Sequence, residues 1–168
     1  MGWIRKLLGA SSKEELAGVH LDYSRQYWEV GGPKTFTTLL SALEGWLPEN
    51  SFLYFEDGCL DEELEEFMRQ YSVPEQTHIA FGTIWPRPEV FHVPATKEAL
   101  GTLTKIMEHH AEPELAVHFH VYQNDNVLIE WHDAFDGGML LSGDFPDEKV
   151  KEFAQKLGTQ YKVVEPRR

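Results

Sequence analysis

Val117-His118-Phe119-His120-Val121-Tyr122, then Asn124-Asp125-Asn126, then Val127-Leu128-Ile129-Glu130-Trp131-His132 form the most strongly patterned segment of the chain. Apolar and polar residues alternate on both sides of a turn-forming centre, the pattern of a β-hairpin with two unlike faces. Residues directly opposite in an antiparallel pair share a face. With Asn124-Asp125-Asn126 as a three-residue loop, Phe119 faces Trp131 and Val121 faces Ile129. The other face then pairs His118 with His132 and His120 with Glu130. A two-residue loop at this register would set Phe119 against Glu130 and mix the faces, which a half-buried sheet does not tolerate.

Thr77 to Trp85 reads as a strand with Ile79, Phe81, Thr83 and Trp85 on one face. Pro86-Arg87-Pro88 reads as a stiff turn, and Val90 to Val93 as the returning strand. That register puts Phe81 opposite Val93 and Gly82 opposite His92, with His78 on the side of His92. If both hairpins bury their apolar sides in one core, the opposite face collects His78, His92, His118, His120 and His132. Glu130, Tyr122 and Gly82 join it.

The remaining elements are spaced between these. Ser12-Lys13-Glu14-Glu15 fits a capping box, and a helix from it places Leu16, Val19 and Tyr23 inward. Tyr27 to Val30 is ambiguous. Pro33 opens a helix carrying Phe36, Leu39, Leu40, Leu43 and Leu47, and Pro48 stops it. Phe52 to Phe55 is a short buried strand. Leu60, Leu64, Phe67, Met68 and Tyr71 mark a second helix; Thr96 caps a third with Leu100, Leu103 and Met107. A strand near Met139 to Ser142 follows a Gly137-Gly138 turn. A helix from Pro146 to Gly158 precedes a final strand at Tyr161 to Val164. The fold class is therefore α+β: an antiparallel or mixed sheet of five to seven strands, helices on at least one face, in one domain. Residues 1 to 11 form a loosely attached N-terminal segment in this scheme. Its Trp3, Ile4, Leu7 and Leu8 suit docking on the body of the domain or on a partner.

The chain has 168 residues, 28 of them acidic and 15 basic, for a net charge of -13. Such a surface repels phosphate backbones, so nucleic acid is excluded as a partner. The single cysteine, Cys59, excludes a disulfide framework and fits a reducing, cytoplasmic setting. No apolar run spans a membrane. Nucleophile, phosphate-loop and dinucleotide motifs are missing.

His118, His120, Glu130 and His132, with His78, His92 and Tyr122 behind them, are the candidate ligand or metal site. Imidazoles of a His-x-His strand and one opposite can converge on zinc or another transition metal, with Glu130 as base or orienter. Alternation alone also explains a polar face, and no cofactor is expected on that reading. Asp61, Glu62, Glu63 and Glu66 form an acidic helix face, either solvated or docked by a basic partner. The leading expectation is a non-catalytic module that binds a protein or small ligand. The alternatives are a metal-dependent hydrolase-like enzyme and an acidic, immunity-type inhibitor of a basic toxin or nuclease.

Overall fold

A computed structural model describes residues 18–83 and 85–166 of the chain. Its element order is β1 (Tyr27–Val30), α1 (Phe36–Leu43), β2 (Phe52–Glu56), α2 (Glu62–Tyr71), β3 (Val90–Pro94), α3 (Lys97–Met107), α4 (Glu112–Leu115), β4 (His118–Gln123), β5 (Asn126–Trp131), β6 (Met139–Ser142), α5 (Asp147–Leu157) and β7 (Tyr161–Val164). All seven strands join one antiparallel sheet in the order β3-β2-β4-β5-β6-β1-β7. The α+β expectation holds, at the upper end of the expected strand number.

The β4–β5 hairpin carries the expected pairs Phe119 with Trp131, His120 with Glu130 and Val121 with Ile129. The loop differs. Tyr122 pairs with Val127 and Gln123 with Asn126, so the turn is Asn124-Asp125, and a bulge next to Val121 recovers the register. One extra residue on β5 reconciles a two-residue turn with unmixed faces. Asn124 takes the left-handed conformation, with φ 51.

Strand alternation sends Leu53, Phe55, Val93, Phe119, Val121, Ile129, Trp131, Met139, Leu141, Trp28 and Val30 to one face. All but Trp28 are close to fully buried, under α1, α2, α3 and α5. Phe36 of α1 meets the rings of Phe119, Trp131 and Phe135 at 5.1 to 6.0 Å, edge to face. Thr35, Asp61 and Thr96 cap α1, α2 and α3 by accepting from backbone N–H groups two or three positions inside each helix. Pro33 therefore lies two residues outside its helix rather than opening it. That helix stops at Leu43, where Gly45 turns with φ 68, ahead of Leu47 and Pro48. The ambiguous Tyr27–Val30 is a strand between β6 and β7. The capping box at Ser12 and the segment 1–11 lie outside the described residues.

Two expected elements are corrected. The described residues of 77–85 do not pair with β3, which adds instead to β2, with Leu53 opposite Val93 and Tyr54 opposite His92. The alternation of Ile79 and Phe81 was real, but these side chains point down onto the second face of the sheet from above it. Trp85, expected on the inward side, is 85% exposed. Likewise Val19 and Tyr23 are not helical. Val19 forms a parallel bridge with Ile79, through bonds of 2.7 Å to His78 O and 2.9 Å from Ala80 N. Segments 18–23 and 77–83 are thus two straps, paired with each other, that roof the face opposite the helices.

No described helix is long and apolar enough to cross a membrane.

Candidate functional site

Under the straps, the second face carries Phe52, Tyr54 and Glu56 of β2, His118, His120 and Tyr122 of β4, Glu130 of β5, and His92 of β3. Leu21, Tyr54, Ile79, Tyr122 and Val127 form a small apolar cluster there, so one end of the face is oily and the other polar. His118, His120, Glu130 and His92 are all buried. The structure brings His118, His120, Glu130 and His132 together, as the alternation predicts. The ring of His132, one residue beyond β5, lies 4.7 Å from that of His120 and 5.4 Å from that of His118. His92 sits on the same face across Tyr54, its Nδ1 2.8 Å from the Tyr122 hydroxyl. His78 does not join them. It rides on the strap, half-exposed, with Nδ1 3.1 Å from Glu75.

Glu130 gathers the site's bonds. Its Oε2 accepts the Leu21 N–H at 2.8 Å, and its Oε1 accepts the Tyr23 hydroxyl and lies 3.1 Å from His132 Nε2. Burial alone would raise its pKa, but the bonds from His132, Leu21 and Tyr23 outweigh it and hold the carboxyl at about 2. The same contact raises the pKa of His132 above the usual imidazole range, its Nε2 lying 3.1 Å from Glu130. Tyr23 is pushed up by burial and by the Glu130 carboxylate, and stays a phenol.

Glu56, which lies outside the candidate set that the sequence offers, is fully buried. Its Oε2 accepts from the Tyr54 hydroxyl at 2.7 Å and the Gly82 N–H at 3.1 Å, and its Oε1 from the Thr83 N–H at 2.6 Å. One carboxylate pins each strap: Glu130 holds 18–23, and Glu56 holds 77–83. The signal existed. Alternation along Phe52, Tyr54 and Glu56 puts Glu56 on the polar face, opposite His118 once β2 is known to border β4.

The imidazole tautomers limit the chemistry. His118 Nδ1 accepts the Asp133 N–H at 3.1 Å, and His120 Nδ1 accepts the Trp131 N–H at 3.2 Å. A neutral ring that accepts at Nδ1 carries its proton on Nε2 and offers no lone pair there to a metal. Burial, then the neighbouring His132 charge, lowers the pKa of His120 to about 3 and keeps it neutral. Among the described residues, no group of three or more His, Cys, Asp or Glu side chains is placed to hold a metal ion. The Nε2 atoms of His120 and His92 are buried with no hydrogen-bond partner.

The close fit of strap to sheet gives a sharp expectation. A Cβ on Gly82 would stand 2.6 Å from Cγ and Cδ2 of the His118 ring. That ring accepts the Asp133 N–H at 3.1 Å and packs edge-on against His132 at 5.4 Å, so displacing it would break both contacts. Gly82→Ala should cost about 1–3 kcal/mol, the usual range for overpacking. Gly101→Ala is the control of opposite sign. Nothing stands within 4 Å of a Cβ there, and helix propensity should add up to about 1 kcal/mol. Urea midpoints that move the same way for both variants would contradict the close contact.

The second candidate, the acidic helix face, lies on the opposite side of the molecule. Asp61, Glu62, Glu63 and Glu66 line a groove between α2 and α3 with a volume of about 680 Å³. Phe67, Tyr71, Thr102 and Ile106 share its lining, together with Gln70 and Arg69. Asp61 caps α2 and also meets His110 Nε2 at 2.9 Å. The Ile106 carbonyl and Asp61 raise the His110 pKa. Arg69 pairs with Glu66.

No protein-family model, curated protein or solved structure matches the chain.

The two candidate regions therefore differ in kind. The histidine face is an internal lattice whose two carboxylates are committed to the straps, with His132 and Tyr23 at its exposed rim. The acidic groove is open and combines apolar floor with unbalanced charge.

Proposed function

We propose that this domain is a non-catalytic binding module that receives a basic, partly apolar segment of a protein partner in the groove between α2 and α3. The observation that carries it is the lining itself: four carboxylates against one guanidinium, around Phe67, Tyr71 and Ile106. A binding surface of this kind needs apolar area for affinity and charge for register and encounter rate. The overall charge of -13 favours the same partner chemistry at long range. An inhibitor of a basic toxin or nuclease is one form this reading takes. The enzyme alternative draws less support, because its His118 and His120 present protonated Nε2 atoms under a roof.

The test is a titration of the full chain with a short amphipathic peptide of lysine, arginine and leucine, followed by backbone amide shifts. Shifts should cluster at residues 61–71 and 102–106 and weaken with added salt, as exposed pairs are screened. Glu62→Lys with Glu63→Lys removes two exposed pairs of up to about 1 kcal/mol each, a loss of about tenfold in affinity or more. Shifts scattered over the acidic surface, or an affinity indifferent to the double reversal, would sink the reading.

A further inference from the structure

We infer that His110 is a proton-operated clasp on this groove: as an imidazolium it ties the two walls together and masks Asp61, and on giving its proton to solvent it frees Asp61 for a basic partner. The inference rests on the groove reading above and adds its regulation. Asp61 on α2 and Ile106 on α3 both line the groove, and this one ring bonds to both. His110 Nδ1 lies 2.8 Å from the Ile106 carbonyl oxygen, and Nε2 lies 2.9 Å from Asp61 Oδ2. A carbonyl and a carboxylate only accept, so both ring nitrogens must donate, and only the imidazolium has two N–H groups. A neutral ring turns a lone pair on one of the two oxygens and loses that bond.

The groups around the ring favour its charge. From α2, Asp61 and Glu63 face it, with Glu63 Oε2 3.8 Å from Nε2. From α4, Glu114 adds its charge. From α3 comes the Ile106 carbonyl, at the helix C-terminus, where a cation is stabilised. The imidazole is 7% exposed, whereas Asp61 is 54% exposed and open to a partner. Asp61 stays on the groove wall when the ring lets go, because its Oδ1 caps α2 by accepting the Leu64 N–H at 3.0 Å. With the ring charged, the four carboxylates of the groove are offset by two cations, Arg69 and His110; with it neutral, by Arg69 alone. The pull on a basic segment therefore rises with pH by the weight of one exposed pair, about fivefold in affinity at most.

The test compares the parent chain with His110→Gln, each titrated with the Lys/Arg/Leu peptide from about pH 5.5 to about pH 9, a range that brackets a raised imidazole. Glutamine keeps an N–H for Asp61 and does not titrate. The other histidines change charge in both chains alike, so the ratio of parent to variant affinity isolates His110. That ratio should rise about two- to fivefold across the range. By reciprocity, saturating peptide should lower the midpoint of the parent's His110 ring signals by about 0.3 to 0.7 of a pH unit. This second measurement needs no variant and decides the matter even if His110→Gln does not fold. Asp61→Asn keeps the cap and turns an amide N–H on Nε2, which suits the neutral ring, so the His110 midpoint should fall without any peptide. A constant ratio, or a midpoint that the peptide leaves in place, would overturn the inference while the groove reading stands. A midpoint indifferent to Asp61→Asn would overturn the clasp itself. No peptide binding at any pH would overturn the groove reading, and the regulation with it.

Discussion

Glu56→Ala unfolds at a much lower urea concentration than the parent, with a stability loss of about 3–5 kcal/mol. The reason is the number of donors it strands. Tyr54 O–H, Gly82 N–H and Thr83 N–H all end on this one fully buried side chain. A buried donor left without its partner costs about 1–3 kcal/mol, and water reaches this position poorly under the strap. Glu56→Gln keeps one acceptor oxygen of two, so its loss should be smaller. The pair of variants separates acceptor loss from simple truncation. Equilibrium denaturation at fixed pH measures both, and the slope with denaturant should stay near the parent value if the sheet remains whole. A loss below about 1 kcal/mol for the alanine variant would mean that the strap finds other acceptors. The strap should also lose amide protection at Gly82 and Thr83 before the β-sheet does, since local opening needs only that anchor to fail.

Alternation made the central hairpin legible. Phe119, Val121, Ile129 and Trp131 demanded a dry face, and that demand fixed His118, His120 and Glu130 on the other. It held even though the turn was one residue shorter than expected, because the bulge beside Val121 restored the register. The second hairpin failed for a physical reason. Ile79 and Phe81 show period two in the sequence, but period two records which way side chains point, not which backbone partners a strand takes. Here they point into the sheet face from above, while the N–H groups of Gly82 and Thr83 go to Glu56 and β3 goes to β2. Glu56 itself ended an aromatic run and looked like a strand terminus. Its role depends on three partners from two places in the chain, which local pattern does not encode. The acidic face of α2 was legible from Asp61 to Glu66, but its groove required α3 alongside, with Thr102 and Ile106.

The polar lattice should also make the protein acid-sensitive earlier than its carboxylates alone would. His120 is neutral in the folded state, with its pKa lowered to about 3 by burial, against about 6.5 when unfolded. The unfolded chain therefore binds a proton that the folded chain refuses as pH falls below about 6.5, and stability declines by up to about 1.4 kcal/mol per pH unit. Between pH 6.5 and 4.5 this amounts to about 2–3 kcal/mol. Glu130 acts later. Its carboxyl lies at about 2, so its stabilisation is intact above about 4.3 and is lost only as pH falls towards 2. His132 has a raised pKa, so its contribution is full below about 6.5 and is lost as pH rises through the folded value. It adds no slope in the window where His120 acts. His92, lowered by burial, adds to the decline in the same sense. His120→Asn isolates the first term, because the amide oxygen replaces Nδ1 as acceptor for the Trp131 N–H and does not titrate. Its absolute stability will differ, but its stability should fall with pH less steeply than the parent's between 6.5 and 4.5. Parallel slopes for the two proteins would show that His120 takes up its proton without unfolding, and that the roof over the histidines opens more readily than its bonds imply.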